Sequence, residues 1–193
     1  MFSKTQWFLG LTVLMASGAT GCSMTESRPA VSGVTPVECA GATLHSAEEA
    51  ARYASCEAVQ GDLRVLNSEL RDLTALERIR SVSGTLEIAG NPHLDDLTGL
   101  DRLSSVGKLQ IENNADLDDL AGLSNLTHAS SIVIRHNHEL TSLRGLEGLT
   151  RADQVVLAGN GLFGVAGLSN LREVGELAVV GNPKLTTCAA SST

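Results

Sequence analysis

Written in rows of 23 from Gly84, this chain falls into register with itself. The rows are GTLEIAGNPHLDDLTGLDRLSSV (84–106), GKLQIENNADLDDLAGLSNLTHA (107–129) and SSIVIRHNHELTSLRGLEGLTRA (130–152). A 22-residue row, DQVVLAGNGLFGVAGLSNLREV (153–174), and a partial one, GELAVVGNPKLTTC (175–188), follow; GDLRVLNSELRDLTALERIRSVS (61–83) precedes them with small register shifts. A unit of this length cannot bury its own aliphatic face. Neighbouring units must stack, so the repeat dictates a solenoid.

Each row contains two periods. Leu86 and Ile88 alternate with Thr85, Glu87 and Ala89, which predicts a short strand with one inward face. Leu94, Leu97, Leu100, Leu103 and Val106 then recur every third residue, a spacing that suits successive short turns rather than an α-helical stripe. Stacked rows give one short parallel sheet and a Leu/Ile/Val core. Asn91, Asn114, Asn137, Asn160 and Asn182 share one row position, where an amide ladder can satisfy turn backbone and its own neighbours. Gly99, Gly122, Gly145 and Gly167 share another, each before an inward Leu, and predict close approach or positive φ.

Residues 37–60 lie ahead of the solenoid of about six coils, which is placed at 61–193, and read as its N-terminal cap. Ser46-Ala47-Glu48-Glu49 is a capping box, predicting a short helix from 47 to about 57. Cys39 and Cys56 flank it and can close a disulfide loop, nominally about 2–4 kcal/mol of stabilisation in an oxidising compartment. No nearby His or third Cys completes a metal site with them. Cys188 has no partner in this assignment; a buried apolar role, an intermolecular link and membership of a different pair all stay open.

The first 21 residues have the form of a signal peptide: Lys4, then the apolar run Trp7–Ala16, about half the length of a spanning helix. Ala19-Thr20-Gly21-Cys22 resembles the lipobox of bacterial lipoproteins, although Leu is usual at the first position. The resemblance implies cleavage before Cys22 and lipid on its thiol and amine, hence a membrane-bound chain. Ser23 follows where some lipoproteins carry an inner-membrane Asp signal, so an outer-membrane location is expected. Ordinary secretion is the alternative. Residues 23–36, with two prolines and small polar residues, read as a flexible tether, so that 22–36 joins lipid to folded body.

The segment Cys56-Glu57-Ala58-Val59-Gln60-Gly61-Asp62-Leu63-Arg64-Val65, followed by recurrent G-x-L-x-I-x-x-N-x-x-L, resembles the receptor L domain over about residues 37–188. That is the leucine-rich module of growth factor and insulin receptor ectodomains, with bacterial relatives among leucine-rich-repeat lipoproteins of myxobacterial type. The resemblance implies a right-handed, β-helix-like leucine-rich solenoid with a disulfide-bound N-terminal helical cap, and a binding surface without catalytic residues. The receptors pair two such domains around a Cys-rich module and a spanning helix. This sequence shows neither and carries a minimal C-terminal cap, so growth-factor binding does not transfer.

The formal charge is −8, and past the leader thirteen basic side chains face twenty-two acidic ones without a Lys/Arg cluster. That balance disfavours nucleic acid and anionic headgroups. Only Tyr53 and Phe163 remain as aromatics outside the leader, too few for a stacking platform. No nucleophile, phosphate-loop or zinc motif is present, so neither enzyme nor cofactor is expected. The weak alternative is a metal-dependent enzyme using His136 and His138, near which His93 lies two rows earlier. Asp95-Asp96 and Asp118-Asp119 stack in register and could meet calcium, but the row lacks the Gly-Asp nonapeptide of calcium-binding solenoids.

The outward strand positions carry the functional expectation. One column runs Arg64, Glu87, Gln110, Val133, Val156, Ala178; the next runs Ala89, Glu112, Arg135, Ala158, Val180. The face turns from polar to apolar toward the C-terminus, which points to Val133, Arg135, Val156, Ala158, Ala178 and Val180 as a binding face for a protein or other envelope macromolecule. The competing reading is a purely structural envelope protein, with that face covered by the 23–36 tether or by a second copy of the chain.

Overall fold

The computed structural model describes residues 35–186. Seven strands form one sheet in chain order, each pair parallel: β1 (Glu38–Leu44), β2 (Ala58–Leu66), β3 (Ser81–Ala89), β4 (Ser105–Glu112), β5 (His128–Arg135), β6 (Arg151–Ala158) and β7 (Glu173–Val180). The register preserves the sequence rows. Leu63, Leu86, Leu109, Ile132, Val155 and Leu177 form one column across the sheet. This is a leucine-rich β-solenoid of about six turns.

Between strands the chain returns through an arc of short turns, including 3₁₀ turns at Thr74–Leu76, Ala121–Leu123 and Ala166–Leu168. Spacing by three explains them: a 3₁₀ turn advances three residues per revolution and aims successive leucines at one axis. Leu94, Leu97, Leu100 and Leu103 are fully buried there, as are Leu117, Leu120, Leu123 and Leu126 one coil later. Gly122 lies in this arc because a Cβ would collide with the Leu97 carbonyl of the preceding coil; Gly99 and Gly145 combine similar collisions with φ near +107° and +106°.

The asparagine column is a buried ladder. Asn114 Nδ2–H donates to the Ile88 carbonyl (3.0 Å) and to Asn137 Oδ1 (3.2 Å). Its Oδ1 accepts from the Asn91 backbone N–H (3.1 Å) and Asn91 Nδ2–H (3.0 Å). Asn91 and Asn137 repeat the pattern, Asn160 keeps its carbonyl and backbone contacts, and Ser68 begins the column by donating to Asn91 Oδ1. One residue earlier the chain turns through left-handed φ at Asn67, Gly90, Asn113, His136, Gly159 and Gly181. Every coil therefore closes its strand with the same turn, and the amide below it supplies the hydrogen bonds that the turn lacks.

Three details differ from the sequence reading. There are seven strands rather than six, because β1 belongs to the cap and pairs with β2 although its sequence, ECAGATL, lacks the repeat. The helix is shorter than predicted: α1 spans Ala47–Ala51, capped by Ser46, whose Oγ accepts from the Glu49 N–H. The chain then tightens into turns, with the Tyr53 hydroxyl donating to the Ala40 carbonyl (2.8 Å) and Cys56 buried in its disulfide with Cys39 at a Cα separation of 5.9 Å. Finally, Val82, Val106, Ala129 and Ala152, which close the sequence rows, lie in the opening residues of the strands. Gly84 and Gly107 follow Val82 and Val106, and a Cβ at either would lie 2.7 Å from a backbone carbonyl oxygen of the coil before.

Candidate recognition face

A solenoid sheet has an inward face filled by its own core and an outward face that only a neighbouring segment or partner can cover. In this sheet the outward side chains run in three registered columns. Thr85, Lys108, Ser131, Gln154 and Glu176 form one that stays polar to the last strand, with Gln154 Nε2–H donating to Glu176 at 2.9 Å. The other two change character along the stack. Arg64, Glu87, Gln110, Val133, Val156 and Ala178 are aligned by strand pairing, and so are Ala89, Glu112, Arg135, Ala158 and Val180.

The early half is held by its own charges. Arg64 lies 2.7 Å from Asp62 and 3.1 Å from Glu87, and Gln110 donates to Glu112 at 3.5 Å. Asp62 also accepts the Thr85 N–H, so this corner is a local network whose groups answer one another. In the late half Val156, Ala158 and Ala178 are half-buried and Val180 is 58% exposed. Arg135 is half-buried beside them.

Val133 departs from the expectation. It points outward but is only 3% exposed, so it offers no contact surface. It sits in the middle of the sheet between Gln110 on β4 and Val156 on β6, and a side chain this short is screened by its registered neighbours. The face available to a ligand is therefore carried by β6 and β7.

Residues considered for chemistry are placed apart. The His136 ring packs over Gly159 of the next coil, where a Cβ would come within 3.0 Å of Cδ2, while His138 is exposed beyond Asn137. His93 stands between acidic neighbours of the adjoining coils, 3.3 Å from Glu69 and 3.8 Å from Asp116. Asp96 and Asp119 accept backbone N–H groups of Thr98 and Ala121 and so cap turns. Asp72 does the same for Thr74. The Thr74 hydroxyl, then its N–H, hold the Asp72 carboxyl below the usual range, against a small opposing effect of burial. Among the described residues, no three His, Cys, Asp or Glu side chains converge on a point that could hold a metal ion. A groove of about 360 Å³ follows the bend at the strand starts, lined by Ser83, Ser105, Gly107, His128, Arg151 and Asp153, clear of the outward columns. Cys22 and Cys188 lie outside the described residues.

The parallel sheet, the asparagine-closed coils and the disulfide-bound cap agree with one comparison. The receptor L domain family model matches residues 55–161, more than half of the chain. The chain belongs to the receptor L domain family. Members of this family are non-catalytic, ligand-binding recognition modules. Among curated proteins none matches this chain significantly. In this receptor L domain the match ends at Gly161, while the apolar outward residues continue into β7, so the face includes sequence outside the matched segment.

The sequence reading expected a minimal C-terminal cap but did not single out the core residues of β7 that stand exposed there. Val174 and Leu177 occupy columns that are buried in every earlier coil, yet they are 39% and 51% exposed.

Proposed function

We propose that this receptor L domain is an envelope-anchored recognition module that binds another protein or envelope macromolecule through the outward face of β6 and β7. The observation that carries the reading is the change along one registered column, from ion-paired Arg64 and Glu87 to Val156 and Ala178. An early half whose outward charges pair with one another, and a late half where two of three outward columns turn apolar beside the Gln154–Glu176 pair, match a surface of which one half is kept for contact. The anchor rests on Ala19-Thr20-Gly21-Cys22: lipid on Cys22 holds the chain at a bacterial outer membrane, and residues 23–36 act as tether. No helix among the described residues is long and apolar enough to cross a membrane.

The test is crosslinking in intact cells, comparing the wild type with Val156→Lys. The substitution puts a charge where apolar contact is expected, and its outward position leaves the coil intact. Loss of a crosslinked partner by a variant that retains its fold supports the face; unchanged partners refute it. Intact mass of the native protein tests the anchor independently. Acylation of an N-terminal Cys22 is expected, and an unmodified Cys22 would refute it.

A further inference from the structure

The two ends of the solenoid are finished differently. At the N-terminal end Cys39, Ala42 and Leu44 of β1 continue the inward columns of β2, and α1, Tyr53 and the Cys39–Cys56 disulfide close over them; Leu44 and Ala50 are 2% exposed. At the C-terminal end β7 hydrogen-bonds to β6 on one side, and among the described residues no strand lies on its other. Leu177 is 51% exposed, while Leu63, Leu86, Leu109, Ile132 and Val155 in its column are fully buried. Val174 is 39% exposed, where its column mates Val82, Val106, Ala129 and Ala152 range from 2% to 5%. The last coil is thus an open edge strand backed by an open slice of core, a surface that natural sheets cover or charge.

We propose that a second copy of this chain covers that end, its β7 pairing antiparallel with this β7 about a two-fold axis perpendicular to the sheet. Two observations select this occupant. The charges suit it: Glu173 and Glu176 lie in the first half of β7, and Lys184 lies just past its end. Antiparallel pairing sets the start of one strand beside the end of the other, so Glu173 of each copy faces the neighbourhood of Lys184 in its mate, twice by symmetry. A parallel, head-to-tail arrangement is blocked, because the opposite end of the core is already closed by α1 and the disulfide.

The pairing goes beyond the recognition reading and stands without it. It has a consequence for that reading, because the two outward faces lie on the same side of the joined sheet. Val156, Ala158, Ala178 and Val180 of both copies then form one continuous apolar strip across the axis, twice the width that a single chain presents.

Sedimentation of the full chain in density-matched detergent decides the matter, with three variants. The wild type is expected to be a dimer that dissociates on dilution, and Leu177→Lys a folded monomer. Glu173→Lys and Lys184→Glu should each raise the dissociation constant by about three- to tenfold, as two exposed ion pairs become repulsive. The double variant should return to within about twofold of the wild type. Should Leu177→Lys fail to fold, the charge reversals still decide. A wild type that stays monomeric overturns the proposal, as does a dimer indifferent to Leu177→Lys. So does the absence of rescue in the double variant. Protection of β7 amides from exchange in a monomer would show instead that the chain's own 187–193 segment covers the edge. Val156→Lys should leave the dimer intact, so failure of the recognition face and failure of the pairing are read separately.

Discussion

Replacing Asn114 by Ala should remove about 4 kcal/mol of stability, a large share of the roughly 5–15 kcal/mol that holds an ordinary domain together. The side chain is fully buried and takes part in four hydrogen bonds. Truncation orphans the Asn91 backbone N–H and the Ile88 carbonyl, each costing roughly 1–3 kcal/mol when no water reaches it. It also breaks the amide links to Asn91 and Asn137, and the vacated volume adds a smaller cavity penalty. Asn125→Ala is the matched control, because that residue is exposed and donates a single bond to the Asp101 carbonyl (2.6 Å); its loss should cost about 1 kcal/mol or less. Asn182→Ala, at the half-buried end of the ladder, should fall between them. Equilibrium unfolding in urea, with disulfide intact, measures all three. Equal midpoints for Asn114→Ala and Asn125→Ala would refute the ladder as a source of stability. A changed slope would show coils unfolding separately, as stacked repeats can.

Three further expectations follow from the fold. Gly122→Ala drives a methyl into the Leu97 carbonyl, so the melting temperature should drop by several degrees, whereas Ala166→Gly at an exposed site in the arc two coils later should move it little. Reducing Cys39–Cys56, or replacing both by Ser, should cost about 2–4 kcal/mol and loosen α1 before the sheet, visible as early amide exchange in residues 38–53. Asp72 should titrate below the ordinary carboxylate range, since Thr74 hydrogen-bonds its charged form. Its depressed folded value means that its cap contributes fully above the unfolded pKa, near 4, and is lost as pH falls through the folded value. Carbon-detected NMR of the side chain reads the midpoint, and an ordinary value would contradict the cap.

Much of this architecture was legible because a repeat states its rule several times. Asn91, Asn114, Asn137 and Asn160 recur at fixed spacing for one physical reason, an amide that must meet the coil on either side, so their register gives the sheet register directly. Features that occur once were harder to read. β1 has no repeat signature, because a terminal strand contacts one neighbour and tolerates Gly and Ala where inner strands need Leu. The helix signal overran its end, because the turn chemistry after Arg52 answers to Cys56 reaching Cys39 rather than to propensity. On the outward face, alternation told which side Val133 points to but not how far Gln110 and Val156 screen it. Exposure at such a position depends on neighbours in three dimensions, and the period of a strand does not carry that information.

The central claim is that recognition occurs on the late half of the outward sheet. A photo-activated crosslinking side chain at Ala178, compared with the same group at Gln110, tests it most directly. Both positions lie in one registered column, on β7 and β4, and both point away from the core. In intact cells the account predicts a discrete adduct with a second macromolecule from Ala178 that Gln110 does not give. An adduct from Gln110 alone, equal yield from both, or none from Ala178 in a folded, membrane-bound chain would contradict it.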